Sequence, residues 1–249
     1  MKILLKIAFV GTSYCGWQAQ VNGRSVQQTL TAAAERLFGF PCDITGCSRT
    51  DSGVHANCFC ATVAKKGESE IVTTVPIYRI PRALNTFLPD DVSVFSAETV
   101  DSEFHPRYSV KSKEYIYKIH TRPERDAFLA GRVWHLPRVL DVNAMREAAK
   151  SFIGYHDFAA FMAQGSKIVD TRRTVYSAEV EVDGDMLIFR VSADGFLYNM
   201  VRIMTGTLAE VGEGRIKPLE IDKIIEGKDR AAAGKTAPPD GLYLNKAVY

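Results

Sequence analysis

Apolar residues crowd the opening of the chain. Residues 2–10 read KILLKIAFV, and this aliphatic and β-branched run stopped by Gly11 predicts a strand. From Ser25 the period changes to that of a helix: Val26, Leu30, Ala33 and Leu37 share one face, Ser25 and Gln28 have the spacing of a capping box, and Gly39 and Pro41 end the run. Residues 42–45 and 57–64 predict two strands, separated by the polar segment GCSRTDSGVHA with glycine near each end. Residues 77–87 predict a helix interrupted by Pro81, and 92–97 a strand. Residues 113–120 predict a strand with Tyr115 and Tyr117 on one face. Asp141 is placed to cap a helix running to Phe152 and closed by Gly154. Residues 175–182 and 186–193 predict a hairpin around Asp183-Gly184. Residues 196–211 and 218–226 then predict two helices, and 242–249 a last strand.

Written as letters, the first half is βαββαβ, and the second repeats that order with one extra helix before its last strand. This is the ferredoxin-like split βαβ arrangement. The expected fold is α+β, with two ferredoxin-like halves, residues 1–105 and 106–249. They are expected to form one continuous mixed, mainly antiparallel sheet with helices on one face and a cleft for a ligand on the other. No sequence repeat relates the halves.

Composition narrows the picture little. Across 249 residues, 46% hydrophobic and 24% charged is ordinary for a globular chain. A net charge of +2 neither demands nor excludes nucleic acid, so any cationic footprint has to be local. The five cysteines, at 15, 42, 47, 58 and 60, are odd in number and lack a CxxC pair. Cys58 and Cys60 share one strand face, and buried reduced thiols are expected rather than a metal site. The amino-terminal apolar run is short and has no small-residue cleavage site, and no stretch reaches the ~18 apolar residues of a membrane helix. A soluble, cytoplasmic protein is expected. Neither a P-loop nor a dinucleotide fingerprint is present.

The chemistry concentrates in Arg49-Thr50-Asp51-Ser52-Gly53-Val54-His55. An aspartate in a turn commonly bonds its own backbone. Here arginine, threonine, carboxylate and imidazole crowd one loop, and an arginine beside a rim carboxylate can hold phosphate while the carboxylate acts on sugar or base. His55 fits a loop-ordering role better than a catalytic one. Arg202 lies in an apolar helix with Met200, Met204 and Leu208, where a guanidinium is costly unless paired. Pairing and snorkelling to the helix edge are equally compatible with the pattern. Tyr115 either fills core or stacks on a base, a contact of about 1–3 kcal/mol. Arg122, Arg125 and Arg132 lie on a charged loop that is either a solvated face or an RNA contact.

RTDSGVHA resembles the catalytic loop of the TruA family of tRNA pseudouridine synthases, whose pattern is G-x-G-R-T-D-x-G-V-H-A. Four further segments match in order: GTSYCGWQAQ, KEYIY, FLYNMVRIMTGTLAEVGEG and TAPPDGLYL. They span residues 11 to 244. The resemblance implies an isomerase that converts uridine to pseudouridine at positions 38, 39 and 40 of the tRNA anticodon stem-loop, working as a homodimer without cofactor. It makes Asp51 the nucleophile, with Tyr115 at the target base and Arg202 paired with the aspartate. Arg49 and Arg107 would engage RNA around the flipped nucleotide, with Thr50 and His55 beside them at the substrate. The expected cleft is then RNA-binding. The chain departs from the pattern at Ser48, where glycine is usual, and at Asn199, where histidine is common. Two rivals stand beside this reading. One is a non-catalytic tRNA-binding protein or chaperone on the same scaffold, and the other is a hydrolase using Asp51 with His55.

Overall fold

The computed structural model describes residues 1–166 and 168–249. The chain divides into two compact units, one of Met1–Lys111 with Leu244–Tyr249 and one of Ser112–Tyr243. Among the described residues there are ten strands and five α-helices, and the sheet pairing is mostly antiparallel. The fold class is therefore α+β, as the pattern predicts.

The first unit runs β1 (Lys2–Phe9), α1 (Val26–Phe38), β2 (Cys42–Gly46), β3 (His55–Lys65), α2 (Ile80–Asn85) and β4 (Val92–Val100). β1 is flanked by β3 and β4, antiparallel to both, and β2 pairs with β3. This central place explains why β1 reads as an almost continuous apolar run, with Ile3, Leu4, Leu5, Ile7 and Phe9 all buried. At α1 the capping box forms in both directions between Ser25 and Gln28, and Gly39 closes the helix at φ 77°. The expected helix at 77–87 is instead a 3-10 turn, Ile77–Arg79, followed by the short α2. Pro81 does not break α2. It stands in the first turn, where its missing N–H would have had no helical partner.

The second unit holds β5 (Ser112–His120), β6 (Trp134–His135), α3 (Val142–Lys150), β7 (Gly154–Asp157), β8 (Arg172–Asp183), β9 (Met186–Ala193), α4 (Met200–Gly212) and α5 (Glu220–Gly227). β10 (Leu242–Val248) begins in this unit and ends in the first. β9 pairs antiparallel with β5 and β8, β7 pairs antiparallel with β8, and the two-residue β6 runs parallel to β5. The hydrophobic pattern predicts neither β6 nor β7. Gly154 does not stop α3, which ends at Lys150. It opens β7 at φ 118°. The hairpin turns on Gly184 and Asp185, one residue beyond the expected pair, with Gly184 at φ 57°.

α4 starts at Met200 rather than at residue 196, because Asn199 adopts the left-handed conformation, φ 59° and ψ 11°. Eleven of its 13 residues are buried, so it is a core helix rather than an amphipathic surface one. Its two buried threonines keep their hydroxyls satisfied by donating to Val201 O and Ile203 O one turn back, each at 2.8 Å. No helix among the described residues is long and apolar enough to cross a membrane.

Candidate functional site

In the first unit, the loop between β2 and β3 carries the chemistry. Its course is set by backbone packed on backbone. A Cβ added to Gly11 would lie 2.0 Å from Val54 O, and one on Gly16 would lie 2.4 Å from Thr50 O, with Gly16 itself at φ 100°. Only glycine admits such approaches. Trp17 N donates to Thr50 O at 3.2 Å, Gly53 N to Tyr14 O at 3.3 Å, and Val54 N to Asp51 O at 3.2 Å, which closes a turn on the aspartate. The Ser52 hydroxyl donates to Tyr14 O at 3.2 Å. Tyr14 is fixed in turn, since its hydroxyl donates to Asp91 Oδ1 at 2.6 Å and burial pushes the phenol up to about 12. The GTSYCGW segment is thus the clamp that shapes the RTDSGVH loop. At its crown Asp51 is half-buried, whereas Thr50 is buried and its hydroxyl has no hydrogen-bond partner.

His55 is fully buried, and its Nδ1 accepts from Gly11 N at 3.0 Å. That bond ties the end of the loop to the end of β1 and gives the ring the ordering role that the sequence favours. Ser48 is absent from the positive-φ residues, so a side chain where glycine is usual costs the loop no backbone strain.

Arg49 and Arg107 are both exposed and line one pocket of about 230 Å³ with Gln18, Ser48, His105 and Tyr108. Trp17 forms its wall, stacked on Phe59 with ring centroids 4.0 Å apart and seated over Gly46, where a Cβ would lie 2.6 Å from the indole. His105 Nδ1 accepts from Arg107 N at 3.2 Å, and its ring packs against Tyr108 at 4.3 Å. Burial, with Lys2 and Arg107 nearby, lowers the His105 pKa from its ordinary value and keeps the ring neutral at pH 7. The positive charge of the pocket therefore belongs to the arginines, whose fork suits phosphate.

In the second unit, Tyr115 and Tyr117 lie on β5, which α4 contacts. Tyr115 is 7% exposed and meets Phe196 edge-on at 5.0 Å. Tyr117 is fully buried and donates to Pro238 O at 2.6 Å; burial drives its phenol far up, against the opposing pull of the Arg202 charge. Tyr117 is thus the core member of the pair. Arg202 is half-buried on α4. Its Nε donates to Ala237 O at 2.8 Å, its Nη1 donates to Asn199 Oδ1 at 2.7 Å, and its own carbonyl accepts from Ala237 N at 3.1 Å.

Ala237 and Pro238 belong to a strap, residues 230–241, that lies against α4. Gly234 N donates to Thr207 Oγ1 at 2.9 Å and Lys235 N to Glu210 Oε1 at 3.0 Å. Arg230 gathers Ala233 O, Gly234 O and Thr236 Oγ1. A Cβ on Gly206 would lie 1.8 Å from Lys235 O, so the strap sits directly on the helix backbone.

The structure brings Arg49, Thr50, Asp51 and His55 into one clamped loop and sets Arg107 in the same pocket as Arg49. It mounts Tyr115 and Arg202 on adjoining elements of the second unit. Sequence reasoning gave no role to the strap or to the pocket residues Gln18, His105 and Tyr108. The matched segment TAPPDGLYL held the signal for the strap. No grouping of three or more histidine, cysteine or acidic side chains fit to hold a metal occurs among the described residues.

Comparison with known proteins gives this arrangement a family. A sequence model described as tRNA pseudouridine synthase matches residues 6–109 and 148–249. The tRNA pseudouridine synthase A of Ruminiclostridium cellulolyticum is 44% identical over 249 residues, covering 100% of this chain and 99% of its own. That of Thermoanaerobacter sp. strain X514 is 42% identical over 247 residues, 99% of each chain. Among solved structures, a chain in a crystal structure of a Cbf5-Nop10-Gar1 complex aligns over 98% of this chain and 58% of its own, at 11% identity and a TM-score of only 0.35. By the family match over most of its length, and by full-length relatives above 40% identity, this chain belongs to the tRNA pseudouridine synthase family.

Proposed function

We propose that this chain converts uridine to pseudouridine at nucleotides 38, 39 and 40 of the tRNA anticodon stem-loop, with Asp51 as the nucleophilic carboxylate. The observation that carries the assignment is the Asp51 loop, held rigid by two glycine contacts and a buried histidine while its aspartate stays half-buried rather than closed off. The reaction breaks N1–C1′, turns the uracil and joins C5 to C1′. One proton leaves C5 and one arrives at N1, with no redox change. A carboxylate fixed in position can attack as a nucleophile or support a cationic sugar.

Arg202 is the partner of Asp51 in this proposal. An adjacent cation keeps a carboxylate ionised, and a guanidinium already anchored at two nitrogens loses little freedom on pairing. Tyr115 stacks on the target base, which must leave its helix first, as bases do in other base-modifying enzymes. Arg49 and Arg107, in one pocket, hold the backbone around the flipped nucleotide, and Thr50 and His55 support the loop beside it. The enzyme acts as a cytoplasmic homodimer.

The test is Asp51→Asn, which keeps the side-chain volume and removes the charge. On one unmodified tRNA transcript, pseudouridine mapped at nucleotide resolution should vanish while tRNA affinity stays within a few fold, because phosphate contacts dominate affinity. Turnover near that of wild type would refute the assignment. Release of free uracil would favour a hydrolase.

A further inference from the structure

Asn199 holds an unusual position. Among the described residues only it and Lys228 combine a side chain with positive φ. Asparagine is one of the few residues that enter the left-handed region readily, so its backbone is permitted but not free of cost. It also stands at the N-cap of α4, where an asparagine oxygen ordinarily accepts from a backbone N–H of the first turn. Here it makes no such bond. Its Oδ1 instead accepts from Arg202 Nη1 at 2.7 Å.

With Nε held by Ala237 O at 2.8 Å, two nitrogens of one planar group have fixed partners. A planar fork held at two points cannot rotate about its long axis or swing along the helix. Both anchors are neutral carbonyl oxygens, so they orient the cation without cancelling its charge. A carboxylate at position 199 would orient it equally well and neutralise it.

We propose that Asn199 is the positioning residue of Arg202, its amide oxygen setting the plane in which the guanidinium meets the reacting carboxylate. This rests on the reading of Arg202 as the partner of Asp51. A glycine at 199 adopts the same backbone without strain and removes only the amide. Asn199→Gly should therefore fold and melt within about 2 °C of wild type and bind tRNA with unchanged KM. Its kcat should fall about 10²-fold, the loss expected when a catalytic group shifts by about 1 Å. Asn199→His, which tolerates positive φ and offers a ring nitrogen as acceptor, should recover most of that loss.

In an Arg202→Lys background, where the planar fork is already gone, Asn199→Gly should cost no more than about twofold. The proposal is overturned if Asn199→Gly keeps wild-type kcat, if its loss appears equally in KM and melting temperature, or if the loss stays about 10²-fold in the Arg202→Lys background. Arg202→Lys alone separates the two levels. Wild-type kcat there would remove the reading on which the proposal stands. Loss of kcat there, with Asn199→Gly still active, would remove the proposal alone.

Discussion

The strap over α4 gives Gly206 the tightest surroundings of the described glycines in the second unit, so Gly206→Ala is a demanding substitution. A Cβ at this position would sit 1.8 Å from Lys235 O and 2.9 Å from Lys235 C. Reaching an ordinary 3.4 Å contact requires the strap to retreat by roughly 1.6 Å. Overpacking of this kind costs about 1–3 kcal/mol. The retreat also breaks the bonds from Gly234 N to Thr207 and from Lys235 N to Glu210, each worth about 0.5–1.5 kcal/mol. Alanine returns about 1 kcal/mol in helix propensity. The net is a destabilisation of about 1–5 kcal/mol, with about 3 kcal/mol at the centre, which corresponds to roughly 6–12 °C in melting temperature for a chain of this size. Because Ala237 moves with the strap, Arg202 loses its Nε anchor, and kcat should fall at least about 10-fold. Thermal unfolding and pseudouridine formation on one tRNA transcript measure both. Gly227→Ala is the control, since nothing lies within 4 Å of its added Cβ; it should leave activity unchanged and stability equal or slightly higher. A Gly206→Ala enzyme that melts within 2 °C of wild type at full kcat would show that the strap is not seated as described.

Gly16→Ala combines a positive φ with a clash against Thr50 O, so it should lower stability by about 2 kcal/mol or more and cripple turnover by displacing Asp51; a stable, active variant would contradict the clamp. Thr50→Val removes a buried hydroxyl that lacks a partner and should raise stability by about 1 kcal/mol in denaturant titration. Ser25→Ala should cost about 1 kcal/mol through the lost capping box and leave kcat unchanged. The hydrogen bond from Cys60, with the nearby charges of Lys6 and Lys246, lowers the Cys58 thiol to about 7, against burial, which pulls it up. Below that pH it is protonated and inert, and above it a thiolate. Alkylation mapped by mass spectrometry should therefore rise through pH 7 at Cys58, while burial and nearby Glu35 hold Cys42 at about 11 and leave it unlabelled.

Much of the fold was readable because its signals are local. Ser25 with Gln28, Asp141 as a cap, the apolar run of β1 and the β8–β9 hairpin each declare themselves within a few residues. What escaped lacks periodicity. β6 has two residues and β7 four, too few to show alternation, and Gly154 signals a break without saying that a strand follows. The pattern starts α4 too early because Phe196–Tyr198 continue its apolar character, and only the conformation of Asn199 marks the boundary. At the site, the identities of Asp51, Arg202 and Tyr115 stand in motifs. The reasons for their neighbours do not, because the contacts of Gly11 with Val54 and of Gly206 with Lys235 join segments distant in sequence through bare backbone.

The clamp of GTSYCGW on RTDSGVH has a practical consequence. Neither segment carries its own shape: the loop takes its path from two glycines some forty residues upstream, and those glycines have no purpose without the loop. The pair behaves as one heritable unit written in two places. An engineer who transplants RTDSGVHA alone onto another scaffold moves the reactive letters and leaves behind the mould that forms them. A working graft has to carry the end of β1 and the turn through Trp17 as well.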